Sequence, residues 1–310
     1  MDKKRIIFLG TPEISARLLK GLYDNGFNIV GVVTKEDKVR GRNNLVEASP
    51  VAKEAEMLNI PVHKPHRLNK DFQFIIDKKP DLLLTFAYGQ LISDEILKIP
   101  AYRPMNLHAS LLPKYRGAAP IQYALRNGDE ETGVSFMEMV HSMDAGDVFA
   151  VDKIKIERED DYTSLSIKLS DLALKLCIDN LPLFFENKLI GIKQDETKVT
   201  FCPSIKKEEE KLSLDTDPDS FVNQVRSLSL TPGGYLLYKN EILKIYKAEK
   251  LNDFVTGRIG QVLVAHKKDI VLQLSKGQVR LLELQRPGKK RMSSSDFNNG
   301  VHDLTSNDLK

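Results

Sequence analysis

The sequence predicts an α/β protein in which a doubly wound, mostly parallel sheet is followed by a small β-barrel. Three observations carry that expectation. Continuous apolar runs alternate with helical patterns up to about residue 190, a charged stretch rich in chain-breaking residues follows Cys202, and five short strand-like segments lie beyond it. With 310 residues, 41% of them apolar, the chain is long enough to bury two separate cores.

The first strand reads Ile6-Ile7-Phe8-Leu9 and ends at Gly10, apolar throughout as a strand covered on both faces must be. Thr11-Pro12-Glu13 then opens a helix, with Thr11 as its cap, Pro12 in the first turn and Ile14, Leu18, Leu19 and Leu22 at helical spacing. Strands are expected at 29–33, 82–86 and 105–107, separated by helical stretches near 50–58, 69–77 and 90–98. Two further strands, 131–140 and 148–156, and an amphipathic helix over 163–188 complete a first domain expected to span 1–203. Lys206-Lys207-Glu208-Glu209-Glu210-Lys211 and Asp215-Thr216-Asp217-Pro218-Asp219 mark a linker over 204–217. The second domain, 218–310, begins with a short helix near 218–228 and continues with strands at 235–238, 242–248, 260–264, 270–274 and 279–283. Five strands fit an OB-type barrel, one of several small β folds that the count allows.

Composition narrows the function. Forty-six basic against 43 acidic residues leave a formal charge of +3, so any contact with nucleic acid must be local. Cys177 and Cys202 are too few for a disulfide framework and have no metal-ligand spacing, which suits a reducing compartment. Only residues 6–10 near the start are apolar-leaning, far short of a secretory signal or a membrane span, so a cytoplasmic protein without membrane partners is expected.

In an open parallel sheet, ligands bind beyond the carboxyl ends of the strands, which makes the residues just after each strand the first candidates. Phe8-Leu9-Gly10-Thr11-Pro12 holds a single glycine and satisfies neither the dinucleotide fingerprint nor the Walker loop, which argues against a nucleotide cofactor. Phe86-Ala87-Tyr88-Gly89-Gln90 is a small turn with exposed backbone, suited to meeting a flat heterocycle edge-on, although a plain strand-to-helix connection has the same composition.

Asn106-Leu107-His108-Ala109-Ser110-Leu111-Leu112-Pro113 carries the strongest signal. Asn106 and His108 are two residues apart, so on a strand both side chains project to one face. An amide donor beside an imidazole is what a tetrahedral oxyanion needs, because both are in place before the charge develops. Asp144, in His141-Ser142-Met143-Asp144-Ala145-Gly146-Asp147, supplies a carboxylate on a loop between two strands, with Gly146 letting that loop turn inward. Two roles are open to Asp144: favouring the His108 imidazolium, or taking a proton from an attacking amine, whose reference pKa is about 8.

Other chemistries lack their residues. The chain has no Gly-x-Ser-x-Gly elbow, no His-Glu-x-x-His helix and no Cys-x-x-Cys pair. His63 and His66 read as loop residues without carboxylate or cysteine partners, His141 as a solvated loop histidine, and no metal is expected.

Asn106, His108, residues 110–113 and the continuation Lys114-Tyr115-Arg116-Gly117-Ala118-Ala119-Pro120-Ile121 resemble the signature of folate-dependent formyltransferases, and Asp144 falls where that family keeps its catalytic aspartate. The resemblance implies a Rossmann-like catalytic domain, 10-formyltetrahydrofolate as formyl donor, and Asn106, His108 and Asp144 as the catalytic trio. It further implies folate contacts from Phe86, Ala87, Tyr88, Gly89 and Gln90, in the turn that holds the pterin ring, and from Ser110, Leu111, Leu112 and Pro113. The tail Leu284-Gln285-Arg286-Pro287-Gly288-Lys289-Lys290-Arg291-Met292-Ser293 is similar to the closing motif of the members that act on aminoacylated tRNA, and Lys244-Ile245-Tyr246-Lys247-Ala248 also fits. An OB-like tRNA-binding domain, charged initiator tRNA as acceptor, and a monomer are therefore expected.

Lys289, Lys290 and Arg291 form a basic cluster able to meet phosphates, although such a run is usually only solvated surface. The loop Lys35-Glu36-Asp37-Lys38-Val39-Arg40-Gly41-Arg42 offers Arg42, with Arg40 and Lys38, as a second contact. Its Gly41-Arg42 resembles the family's tRNA-probing insertion, while Asn43-Asn44 departs from the lysines usual there. Leu230-Thr231-Pro232-Gly233-Gly234 is likewise a loose match to the family's Asn-Pro-x-Pro turn. Two rival readings are a formyltransferase for an amino-sugar nucleotide or other small amine, and a catalytically silent tRNA-binding protein.

Overall fold

The computed structural model describes residues 4–40, 45–301, 303–306 and 308–310. The chain divides into two compact units, one of Met1–Pro120, Glu131–Lys155 and Ser166–Pro203, the other of Ile121–Glu130, Ile156–Leu165 and Ser204–Lys310.

The first unit is built on a seven-stranded sheet: β1 (Arg5–Gly10), β2 (Asn28–Val33), β3 (Val62–His63), β4 (Leu82–Phe86), β5 (Met105–His108), β6 (Glu131–Glu138) and β7 (Val148–Lys155). The spatial order is β7-β6-β5-β4-β1-β2-β3. The pairs from β5 through β3 are parallel, and β6 and β7 are antiparallel. Ile6, Ile7, Phe8 and Leu9 are all fully buried, as the unbroken apolar run requires. Helix Glu13–Asp24 turns Ile14, Leu18, Leu19 and Leu22 inward at the predicted spacing.

Four local expectations are corrected by the fold. Thr11 does not cap the first helix: Pro12 holds the cap position, and the Thr11 hydroxyl instead donates to the carbonyl of Tyr88 at 3.0 Å. The stretch 69–77 is not one helix but a 3-10 turn, Leu68–Lys70, followed by helix Gln73–Lys78, and the helix expected at 90–98 shrinks to Asp94–Leu97. Side-chain bonds join the two segments. The Asn69 amide donates to Leu91 O at 3.1 Å and accepts from Ser93 N at 2.9 Å, tying the two segments together in irregular conformations. His63 stands on edge strand β3 rather than in a loop, its Nε2 at 3.0 Å from Asp71 O and its ring stacked on Phe74. Lys38–Arg40 and Leu45–Glu47 pair as a small antiparallel ribbon.

In the second unit, helix Pro218–Leu228 starts as the sequence predicts. Asp217 accepts from Ser220 N at 2.9 Å and Pro218 occupies the first turn. The antiparallel sheet runs, in spatial order, Gly234–Tyr238, Glu241–Asn252, Gly277–Gln285, Asp269–Leu274 and Val262–His266, with Met292–Ser293 on the outer part of Gly277–Gln285. Phe221, Val225 and Leu228 of the helix pack with Leu236, Ile245, Leu272, Leu281, Leu284 and Phe297 in one core. No helix among the described residues is long and apolar enough to cross a membrane.

Candidate active site

The chain passes from β1 to β2 on one side and returns to β4 on the other, so the carboxyl ends of β1 and β4 meet at the point where the order reverses. Gly10 ends β1, the turn from Phe86 to Gln90 follows β4, and Asn106 and His108 lie on β5 beside it.

Asn106 pairs with Thr85 across the sheet, and the Thr85 hydroxyl donates to Asn106 Oδ1 at 2.6 Å. Fixing the oxygen sets the amide plane and leaves Nδ2, a pure donor, for a ligand. Thr85 is thus a partner of Asn106 that the sequence does not reveal: within Leu82–Phe86 it reads as one more β-former in a buried run. Thr85→Val keeps the shape and removes the hydroxyl. If Asn106 works as a donor, turnover is expected to fall by about fivefold, the weight of one neutral hydrogen bond. Steady-state kinetics with turnover within a factor of about 1.5 of the parent would show that Asn106 needs no such anchor.

His108 is 6% exposed, and its Nε2 lies 2.7 Å from the carbonyl of Tyr115. A carbonyl only accepts, so Nε2 carries a proton in either charge state and Nδ1 is the nitrogen that changes. Nδ1 faces Asp144 Oδ2 across 3.7 Å, longer than a direct hydrogen bond. The same oxygen accepts from Gly117 N at 2.9 Å.

The loop bearing Asp144 turns by a different device from the one expected. The positive φ, 50°, belongs to Asp144 itself, whereas Gly146 is needed for close approach: a Cβ there would stand 2.1 Å from the carbonyl oxygen of Glu138. Gly117 combines both demands, with φ at +129° and a Cβ position 2.7 Å from Cys202 O. Gln194, which the sequence also leaves hidden, donates from Nε2 to the carbonyls of Asp144 and Gly146, both at 2.8 Å. It lies in a polar stretch with no periodic signal.

The turn after β4 presents backbone, not side chains. Phe86 and Tyr88 point into the core, Ala87 and Gly89 are exposed, and Ala87 adopts φ 50°. The carbonyls of Phe86 and Tyr88 accept from Ser15 and Thr11 of the first turn, and Gln90 Oε1 accepts from Leu68 N at 3.2 Å. The Lys35 amine rests on this turn, close enough that a Cβ on Gly89 would meet Nζ at 2.7 Å. Burial, and then the charge of Lys38, hold Lys35 below the ordinary lysine range. Ser110 is fully buried, donating to Lys114 O at 2.6 Å, while Leu111, Leu112 and Pro113 are half-buried.

Both cysteines are free and buried. Cys202 donates to Tyr115 O at 3.1 Å, and burial pushes its thiol up to about 11. His141 is 86% exposed on its loop, 3.4 Å from Asp94. No group of three or more His, Cys, Asp or Glu side chains among the described residues is placed to hold a metal ion.

Of the basic residues, Lys289 and Lys290 are exposed. Arg291 pairs with Glu283 and lies over the Tyr246 ring, 5.0 Å from its centroid. Arg286 lines an adjoining open groove of about 490 Å³ with Lys244, Glu241 and Gln285. In the first unit Lys38 is exposed and Arg40 ends its short strand, while Arg42, with Gly41, Asn43 and Asn44, lies outside the described residues.

Two polar side chains two residues apart on one strand, with a carboxylate 3.7 Å from the imidazole, are an arrangement suited to acyl-type transfer. Family models agree: "Formyl transferase" matches residues 4–181 and "Formyl transferase, C-terminal domain" matches 204–302. A curated relative, the methionyl-tRNA formyltransferase of Dictyoglomus thermophilum, is 43% identical over 96% of each chain. The chain belongs to the formyl transferase family, in the branch of the methionyl-tRNA formyltransferases. Among solved structures, a variant of HypX from Aquifex aeolicus superposes with a TM-score of 0.69 at 17% identity over 96% of this chain, which spans about half, 48%, of HypX. An N-formyltransferase from Helicobacter canadensis, solved with folinic acid and dTDP-3-aminofucose, gives 0.68 at 18% identity over 90% of this chain and 98% of that one. At such identity these two show the shared fold alone.

Proposed function

We propose that the protein moves the formyl group of 10-formyltetrahydrofolate to the free amino group of methionyl initiator tRNA, giving N-formylmethionyl-tRNA. The observation that carries the reading is the placement of Asn106 and His108 two residues apart on β5, with the Asp144 carboxylate 3.7 Å from His108 Nδ1. Whole-length similarity to the tRNA-acting branch supports the acceptor.

In this reading the formyl carbonyl accepts from Asn106 Nδ2 with the His108 ring beside it, and the turn from Phe86 to Gln90 meets the pterin edge with backbone groups. The methionyl nitrogen attacks the formyl carbon, forming the new C–N bond while the carbonyl oxygen takes up negative charge. With Nε2–H held by Tyr115, neutral His108 offers a lone pair at Nδ1, so the proton leaving the amine settles between Nδ1 and Asp144. The imidazolium so formed offsets the charge of the oxyanion, to which Asn106 Nδ2 donates, and Asp144 stabilises that cation. Collapse breaks the bond to the folate nitrogen, which receives the same proton. Asp144 thereby serves both roles left open by the sequence. The amine is itself the nucleophile, so no covalent enzyme adduct is required.

For the acceptor, exposed Lys289 and Lys290, with Arg286 in the neighbouring groove, supply phosphate contacts, and Arg291 acts chiefly by shaping the Tyr246 surface. Lys38, Arg40 and Arg42 are the second basic group. A single assay tests the whole: formyl-labelled donor is supplied with methionyl initiator tRNA, with an amino-sugar nucleotide, or with no acceptor. Label is expected on the tRNA. Transfer to the sugar alone, release of formate without acceptor, or no transfer at all would each overturn the reading.

A further inference from the structure

We propose that Gln194 is a positioning residue for this transfer, holding Asp144 in a backbone conformation that it would not keep unaided. The inference rests on Asp144 being the catalytic carboxylate. An aspartate at φ 50° sits in the left-handed region, which disfavours residues with a Cβ, aspartate less than most. The loop is closed at its base by Glu138 N to Asp147 O at 2.9 Å, but next to Asp144 its own backbone lends one stretched bond, from Ala145 N to Ser142 O at 3.3 Å.

Enforcement comes from outside. The two hydrogens of Gln194 Nε2 reach the carbonyls on either side of Ala145, both at 2.8 Å. Gln194 cannot be inverted in this place, because its Oε1 accepts from Arg116 Nε at 3.0 Å. Arg116 is itself 4% exposed and gripped by both oxygens of Glu196 at 2.8 and 3.2 Å. The next residue, Gly117, gives its N–H to Asp144 Oδ2. One short strand, Arg116–Gly117, therefore grips Asp144 twice, at the carboxylate directly and at the backbone through Gln194. Losing the second grip lets φ relax and swings Oδ2 out of its place beside His108.

Gln194→Glu tests this with almost no change of shape: the bond to Arg116 is kept and both donors are replaced by an oxygen facing two carbonyls. Gln194→Met removes the donors without adding charge. Both are expected to lower kcat by about tenfold, the weight of one to two hydrogen bonds, with KM for the folate donor within about twofold and the thermal midpoint little altered. A general loss of packing would move the midpoint and KM as well, and that pattern in both variants would overturn the proposal. Parental kcat in both variants would do the same, provided Asp144→Asn is inactive. If Asp144→Asn is itself active, it is the reading of the site that falls.

Discussion

Asp144→Asn is expected to reduce formyl transfer by about 10²- to 10⁴-fold, the range for losing a positioned acid–base group, while the folate donor still binds within about twofold of its original affinity. The substitution changes almost no volume, so the loop should keep its path. The chemistry changes in two ways. A carboxamide cannot share the proton taken from the attacking amine, and its neutral oxygen no longer favours the His108 imidazolium. Gly117 N keeps an acceptor only if the amide oxygen turns toward it, which then presents the NH2 to the rest of the site. Folate affinity is spared because the turn from Phe86 to Gln90 and the half-buried Leu111, Leu112 and Pro113 are untouched. Single-turnover transfer beside a direct measurement of donor binding separates the two. Turnover above about a third of the parent would remove Asp144 from the trio, and equal loss of binding and rate would recast it as a binding group.

The elements that follow from hydrophobic period are legible in the residues themselves. β1, the helix Glu13–Asp24 and the helix Pro218–Leu228 fall where buried runs and helical patterns place them, because burial of those faces is the dominant force acting on them. What stays hidden depends on single side chains acting at a distance in sequence. Asn69 ties its segment to one 22 and 24 residues away, and no local propensity reflects that. In the same way Asn106, His108 and Asp144 stand out by residue type and placement, while the groups that aim them do not. Thr85 is 21 residues from Asn106 and Gln194 is 50 from Asp144, and each resembles an ordinary residue of its segment. The expected role of Gly146 fails for a related reason. Glycine usually signals positive φ, yet here the steric approach to Glu138 O demands the glycine, and the left-handed turn falls on Asp144, two residues earlier.

Asn106→Ala is expected to lower kcat by roughly a hundredfold to a thousandfold, the usual weight of one oxyanion donor, with a much smaller effect on KM. The amide is aimed before the reaction begins, since Thr85 takes its oxygen at 2.6 Å and β5 is paired on both sides. In the proposed reaction its contact with the neutral formyl carbonyl is an ordinary hydrogen bond, but the oxygen gains charge as the amine adds. The stabilisation it supplies therefore grows between ground state and transition state, which places the loss in turnover. Two comparisons make the expectation specific. Thr85→Val combined with Asn106→Ala should cost no more than Asn106→Ala alone, because Thr85 acts only through the missing amide. Asn106→Asp, isosteric but acceptor-only when ionised, should be at least as damaging as Ala, because it sets a negative charge against the developing oxyanion. Additive losses from Thr85 and Asn106, or an Asp variant more active than the Ala variant, would mean that position 106 does not donate to the reacting oxygen.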